Sequence, residues 1–245
     1  MIEEKFSHVK NVPIYMLKVC EYLKGLPKGH LLDIPAGNGY IVKFARSIGF
    51  RATGGDFNSA QEDYVNCNIE RALPFEDCSF EVVSCLEGIE HVVNQDGLLS
   101  ELVRITKREG IVIISTPNIS NFYSRLKFLF TGTFGQFWPH EMRARTTELV
   151  DLGHIHPITP HTLSYLMHAR GAELIAIDTD RYKRLVYWPI YMLLWPLMFL
   201  GTRRQLGYLN KNNVSYIPRV DYQKILLGQG LMWSRSAILV FKKVI

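Results

Sequence analysis

Four groups of residues in this chain have the types and spacing to do chemistry. The first is Asp33-Ile34-Pro35-Ala36-Gly37-Asn38-Gly39, an acid followed by a turn that carries two glycines. Gly37 and Gly39 lack a Cβ, so the turn can use positive φ and a bound molecule can approach its backbone. The second is Asp56, about 20 residues further on, the distance at which a carboxylate accepts from the hydroxyls of a ribose. The third is Glu87, Glu90 and His91, whose i, i+3, i+4 spacing would bring all three to one face of a helix. The fourth is Gly153-His154-Ile155-His156-Pro157, which with His91 supplies the candidates for a general base.

The elements around these residues decide what they can bind. His30 to Asp33 reads as a short buried strand, Tyr40 to Ser47 as a helix stopped by Gly49, and Ala52 to Gly55 as a second strand ending at Asp56. Val65 to Ile69 reads as a short third strand, and Phe80 to Cys85, apolar almost throughout, as a fourth. A strand, an acid, a glycine turn and a helix near the start of an open α/β sheet place a nucleotide-like ligand over the turn, outside the carboxyl ends of the strands. A dinucleotide fingerprint would need a third glycine where Val42 stands, and the G-K-[ST] of a Walker A loop is absent. Further along, Val12 to Leu26 carries Ile14, Leu17, Val19, Tyr22 and Leu23 at helical spacing. Asp96 to Lys107, ended by Gly110, is a second covering helix before a fifth strand, Ile111 to Ser115. Thr159-Pro160 is an N-cap followed by an N1 proline, and Leu163, Leu166 and Met167 make a stripe that Gly171 closes. Ala172 to Thr179 and Ser236 to Lys242 are the sixth and seventh strands.

The motifs together resemble those of the class I S-adenosylmethionine-dependent methyltransferases, in the type 11 and ubiquinone-pathway group. The likeness rests on the acid and G-x-G turn, on Asn68-Ile69, on Leu73-Pro74-Phe75, on Ser79-Phe80-Glu81-Val82-Val83 and on Glu87-Gly88-Ile89-Glu90-His91-Val92. It is close over Leu31 to Asn118 and holds in outline beyond. Two positions depart from the pattern: Pro35 stands where a glycine is usual, and Asn68 where an aspartate usually meets the adenine edge. The resemblance implies an α/β fold, a Rossmann-like seven-stranded and mostly parallel sheet with helices on both faces and an antiparallel last strand. It implies S-adenosyl-L-methionine over Asp33, Ala36, Gly37, Gly39, Asp56, Phe57, Asn68, Ile69, Leu86 and Glu87, with His91, His154 and His156 as catalytic candidates. In ubiquinone-pathway O-methyltransferases a similar E-x-x-E-H pattern is linked with a divalent metal. The same E-H recurs in the wider family without one, and no metal is expected here. A nicotinamide-dependent oxidoreductase and a non-catalytic, membrane-associated relative are the rival readings.

Composition narrows the partners. The 245 residues, 47% hydrophobic, suffice for one domain spanning 1–245. A net charge of +5 without a run of five basic residues does not point to nucleic acid, but it suits anionic lipid. The cysteines, Cys20, Cys67, Cys78 and Cys85, form no C-x-x-C pair, and Met1 to Lys5 has no apolar core of a secretory signal, so a cytoplasmic setting is expected. Two stretches exceed the bare fold: a lid-like aromatic insertion at 119–150, and an apolar insertion at 181–232 before the last strand. Within the second, Leu185 to Gly201 is uncharged and flanked by Arg181, Lys183, Arg184, Arg203 and Arg204, with Pro189 and Pro196 expected to divide or bend it. It reads as a buried hairpin or oligomer interface, as a peripheral membrane contact, or as a short anchor. The expected acceptor is a small or lipid-linked molecule, methylated on oxygen or nitrogen rather than carbon.

Overall fold

The computed structural model of the chain describes residues 12–57, 64–137, 153–182, 184–211, 225 and 227–245. Seven strands form one sheet: β1 (His30–Asp33), β2 (Arg51–Asp56), β3 (Val65–Asn66), β4 (Phe80–Leu86), β5 (Thr106–Pro117), β6 (Ala172–Thr179) and β7 (Ser236–Lys243). Their order is β3-β2-β1-β4-β5-β7-β6. All neighbours run parallel except β7, which enters antiparallel between β5 and β6. A dinucleotide-binding sheet in the 3-2-1-4-5-6 order has no such strand. The direction of connection reverses between β1 and β4, where Leu32 pairs with Val83 and Asp33 with Ser84. That switch point is where the crevice for a ligand opens.

Both faces of the sheet are covered, which is why β1, β4 and β5 read as nearly continuous apolar runs. One face buries α1 (Ile14–Lys24) and α2 (Tyr40–Ser47) through Met16, Val19, Cys20, Leu23, Ile41, Val42 and Ala45. The buried stripe of α1 is thus Met16, Val19, Cys20 and Leu23, and Leu17, expected on that stripe, is exposed. The other face buries α3 (Gln95–Ile105) and α5 (Pro160–Ala169) through Leu98, Leu99, Leu102, Leu163 and Met167. Thr159 caps α5 by accepting from the Thr162 N–H at 2.9 Å, with Pro160 behind it, as the sequence suggests.

Two boundaries differ from expectation. The third strand keeps only Val65 and Asn66, because Asn68 Oδ1 accepts from the Glu70 N–H at 2.8 Å and turns the chain away from the ladder. The helix expected to reach Lys107 ends at Ile105, and β5 begins at once with Thr106. The Lys243 ammonium donates to the Val103 and Thr106 carbonyls, both at 2.9 Å, and so caps the last turn of α3.

The insertions form a third, smaller cluster. α4 (Phe122–Thr131), α6 (Trp188–Lys211) and α7 (Gln229–Trp233) meet through Phe122, Tyr191, Met232 and Trp233. Residues 138–150 of the aromatic insertion, with Trp138, and Lys183 and 212–224 of the apolar one lie outside the described residues. Pro189 and Pro196 do not divide α6. Pro189 is its second residue, where a missing N–H has no partner to lose, and the helix runs on through Pro196 at the loss of one interior bond. Leu185–Leu209, 25 residues whose most apolar 18-residue window has a mean hydropathy of 1.4, has the length and composition to cross a membrane, and only 11% of that window is buried.

Candidate active site

The carboxyl ends of β1, β2, β4 and β5 assemble the site. After β1 the Ile34–Pro35 peptide is cis, and Gly37 and Gly39 take φ of +50° and +72°. The turn is fixed by Ala36 N–H to the Gly55 carbonyl at 2.9 Å and Gly39 N–H to the Ala36 carbonyl at 2.8 Å. A Cβ built on Gly37 would meet nothing within 4 Å, so the turn presents bare backbone to open space. Pro35, in the family's glycine position, packs instead on Gly88: a Cβ on Gly88 would lie 2.6 Å from the proline Cδ. The β1 turn and the loop after β4 are therefore locked together. At the end of β2, Asp56 Oδ2 accepts from the Gly37 N–H at 2.8 Å, which sets its carboxylate beside the turn. Phe57 follows it, exposed, while Asn68 and Ile69 lie past β3, half-buried.

Asp33 does not face the crevice. It is 2% exposed, accepts from the Ser84 hydroxyl at 2.6 Å, and ties the ends of β1 and β4 together. Burial pushes its carboxyl up to about 7, against the Ser84 hydrogen bond, which lowers it. Leu86 is buried at the end of β4, and Glu87 takes φ of +50°, its N–H donating to the Ser115 carbonyl at 3.0 Å. This turn prevents the helix that the Glu87, Glu90 and His91 spacing suggested. Glu87 faces Ser115, Ser236 and Arg235, whereas Glu90 and His91 sit in a separate 3-10 turn, Ile89–His91. Burial raises Glu87, and it raises Glu90 well above the ordinary range with the Glu87 charge adding to it.

The histidines divide in the same way. His154 and His91 pack edge to face with ring centroids 4.8 Å apart. His154 Nδ1 is 2.8 Å from the Gln136 carbonyl, which can only accept, so Nδ1 carries the proton and Nε2 is turned toward Glu90 Oε1, 4.0 Å away. His156 points elsewhere: its Nδ1 lies 2.8 Å from the Val92 carbonyl, and its backbone N–H donates to the Glu90 carbonyl. The structure therefore brings His91 and His154 together and sets His156 apart as an anchor of the 153–158 loop. Donor atoms of Glu90, His91 and His154 all lie within 4.8 Å of one another, and Glu90 Oε1 has no hydrogen-bond partner among the described residues. Mixed carboxylate and imidazole donors of this kind fit a divalent cation.

Sequence reasoning missed several contributors. Tyr15 of α1 is one: burial raises its hydroxyl, and the Glu87, Glu90 and Asp33 carboxylates raise it further, so the phenol stays protonated over the acid cluster. Ser84, Ser115, Thr116 and Ser236, supplied by strands that pair across the sheet, are others, with Arg235 just before β7. Tyr15 lies off the stripe read from Ile14, Leu17, Val19, Tyr22 and Leu23, and the hydroxyl residues look like ordinary strand residues, so neither carries a local signal.

Residues 16–177 match the family described as a methyltransferase domain. The chain is 30% identical over 131 residues to the ubiquinone biosynthesis O-methyltransferase of Rickettsia typhi, covering 48% of this chain and 52% of that protein. It is 29% identical over 177 residues to the ubiquinone/menaquinone biosynthesis C-methyltransferase UbiE of Pseudoalteromonas translucida, covering 61% of this chain and 68% of the other. The matches thus span about half to two thirds of the length of these curated relatives. Among solved structures, the fold is similar to that of a SAM-dependent methyltransferase from Archaeoglobus fulgidus, with a TM-score of 0.57, 18% identity, and 94% and 91% of the two chains covered.

Proposed function

The chain belongs to the class I S-adenosylmethionine-dependent methyltransferases, and from that premise we propose that it methylates an oxygen or nitrogen of a small or lipid-linked acceptor at the membrane surface. The cofactor supplies a methyl group already activated by its sulfonium. The residues present fit it: bare backbone at Gly37, Asp56 beside the turn for the ribose, and a carboxyl at Glu87, raised by burial, that an approaching cation would stabilise, while Asp33 ties β1 to β4. Asn68 and Ile69 would border the adenine, and Leu86 and Glu87 the methionine portion. What the protein adds is alignment of the acceptor with the transferring methyl group.

One observation carries the choice of oxygen or nitrogen. His154 has its Nδ1 proton held by the Gln136 carbonyl, which leaves Nε2 to take a proton from an acceptor hydroxyl or ammonium. Glu90 Oε1 lies 4.0 Å from that same Nε2, on the side where the proton would arrive. The lipid-linked class is favoured by α6, whose Leu193 and Leu197 are 76% and 67% exposed and whose neighbours include Arg203 and Arg204 but no acid. Such a face suits the cytoplasmic side of an anionic membrane. The test is a product-mass search. Lipid and metabolite extracts incubated with the protein and S-adenosylmethionine should yield a species heavier by one CH₂ in the lipid fraction. A gain only in the water-soluble fraction would remove the lipid class, and a methylated carbon would remove the role of His154.

A second reading has a specific observation in its favour. Glu90, His91 and His154 would hold a divalent cation, which would act as a Lewis acid on the acceptor oxygen. Calorimetric titration with Mn²⁺ should then show one site that is lost in Glu90→Gln; no binding would leave His154 as the base alone.

A further inference from the structure

Beside the methyl-transfer site, α4, α7 and the residue that leads into α6 enclose a cleft with about 70 Å³ of room. Measured in the same way, a water needs about 10–15 Å³, so the cleft can hold a few waters or one small polar group. Two of its lining residues are arginines, Arg184 and Arg235, and none is a carboxylate. The guanidinium of Arg184 lies 3.4 Å from the centre of the Tyr123 ring and makes no hydrogen bond among the described residues. Arg235 donates through Nε to Gln136 Oε1 at 2.5 Å, and its two terminal nitrogens have no partner among the described residues. The nearby Asp180 carboxylate is turned to the backbone, accepting from the Arg235 and Ser236 N–H groups.

Two further features mark the cleft as built to hold a ligand. Ser124 is 1% exposed, lines the cleft, and its hydroxyl has no hydrogen-bond partner among the described residues. A buried hydroxyl left unpaired costs about 1–3 kcal/mol, which a ligand oxygen would recover. Arg184 and Gln136, both in its lining, hold φ of +61° and +71°. Positive φ costs a residue with a side chain roughly 1–3 kcal/mol, and such residues gather at ligand clamps.

Taken together, two guanidinium forks, a hydroxyl donor unpaired among the described residues and a lining without a carboxylate, with Glu87 and Asp180 near Arg235 but not in that lining, describe a receptor for a tetrahedral oxyanion. We propose that this cleft binds a phosphate group of the methyl acceptor. The placement deepens the methyltransferase reading and rests on it. Arg235 precedes Ser236, whose hydroxyl bonds Glu87, so a phosphate held here leaves the rest of the acceptor within reach of the transferring methyl. Arg184 directly precedes the turn into the exposed α6, so an apolar tail on the same molecule would run along that helix.

The test uses the full chain with S-adenosylhomocysteine bound, and follows inorganic phosphate and dihexanoylphosphatidic acid by ³¹P NMR and calorimetry. The wild type should bind both. Arg184→Gln and Arg235→Gln should each weaken binding at least tenfold, the double variant should abolish it, and Ser124→Ala should weaken it several-fold. Should a glutamine variant fail to fold, Arg184→Lys and Arg235→Lys keep the charge but lose the fork, and should still bind several-fold more weakly. Tighter binding of the phosphatidic acid identifies a lipid phosphate as the source, and equal affinities identify a soluble phosphate compound; both support the site. The proposal is overturned if the wild type binds neither probe, or if the variants bind as the wild type does. Calorimetry with S-adenosylhomocysteine alone reports separately on the methyltransferase reading, so the two can fail independently.

Discussion

The carboxyl ends of β1, β2 and β4 and the helical annex of α4, α6 and α7 are built on opposite terms. The first region is backbone and buried charge: Gly37 and Gly39 at positive φ, Pro35 packed on Gly88, and Asp33 2% exposed against Ser84. The second is side chain and surface. Its own core comprises four buried residues, and of α6 Tyr191 is the one side chain buried among the described residues. Phe130 at the end of α4 is 79% exposed. The lesson is one of division of labour. The glycine-turn edge is held by hydrogen bonds between neighbouring strands, whereas the annex leaves most of α6 exposed; on the proposed reading the first would meet the cofactor and the second the acceptor.

Several measurements can break or sharpen that contrast. The largest effect is expected at the boundary between the regions. His154→Ala should lower turnover by 10²–10⁴-fold, with affinity for S-adenosylhomocysteine unchanged, whereas His156→Ala, whose ring is tied to Val92, should cost only a few-fold. Equal losses in the two variants would mean that the histidine loop acts as one structural unit.

Next comes Asp33 and the rigidity of the cofactor edge. Its folded value, raised to about 7 from an ordinary 3.8, means that the folded chain holds a proton the unfolded chain has released. Stability from this group is therefore fully present below about pH 4 and lost as pH rises to about 7, by a few kcal/mol at roughly 1.4 kcal/mol per unit. Denaturant melts of the ligand-free protein should show Asp33→Asn gaining on the wild type across that window. Parallel curves would show that Asp33 is not the group that titrates.

Asp56 should give a smaller change, confined to binding. Asp56→Ala should weaken S-adenosylhomocysteine by about 1.5–3 kcal/mol, since hydrogen bonds to a charged group are lost, and leave the melting of the free protein nearly unchanged. Unaltered calorimetric affinity would take Asp56 out of the cofactor site.

The smallest effects belong to the annex. Neutralising Arg203 or Arg204 should reduce binding to anionic vesicles by about 1 kcal/mol each, and Leu193→Ser and Leu197→Ser should reduce it while changing stability by less than about 0.5 kcal/mol. If those serine variants instead change the sedimentation of the protein and leave vesicle binding alone, α6 is an interface between copies.

Much of the cofactor region was readable from the chain itself, because its signals are local. An acid, two glycines and a second acid keep their spacing whatever packs around them, and α2 runs from Tyr40 to Ser47 as its pattern requires. The parallel strands were legible too, since burial on both faces leaves a continuous apolar run. Pairing across the sheet was not legible. Ser84, Ser115 and Ser236 come from β4, β5 and β7, and nothing in their own neighbourhoods says that they meet Asp33 and Glu87. Spacing even misled at Glu87: i, i+3, i+4 implies one face only if the residues are helical, and a positive φ at Glu87 breaks that premise.

What the sequence by itself determined, then, is the order of elements, the glycine turn and the acids that flank it, all consequences of backbone preference and hydrophobic period acting over a few residues. Tertiary structure alone decided which of three histidines faces Glu90, that Tyr15 closes over the acids, and that Arg184, Arg235 and Ser124 share one cleft. These residues lie 50 or more positions apart in several pairs, and only the folded sheet and its annex bring them together. Contact at that range is set by packing the whole chain against itself, and a local pattern carries no record of it.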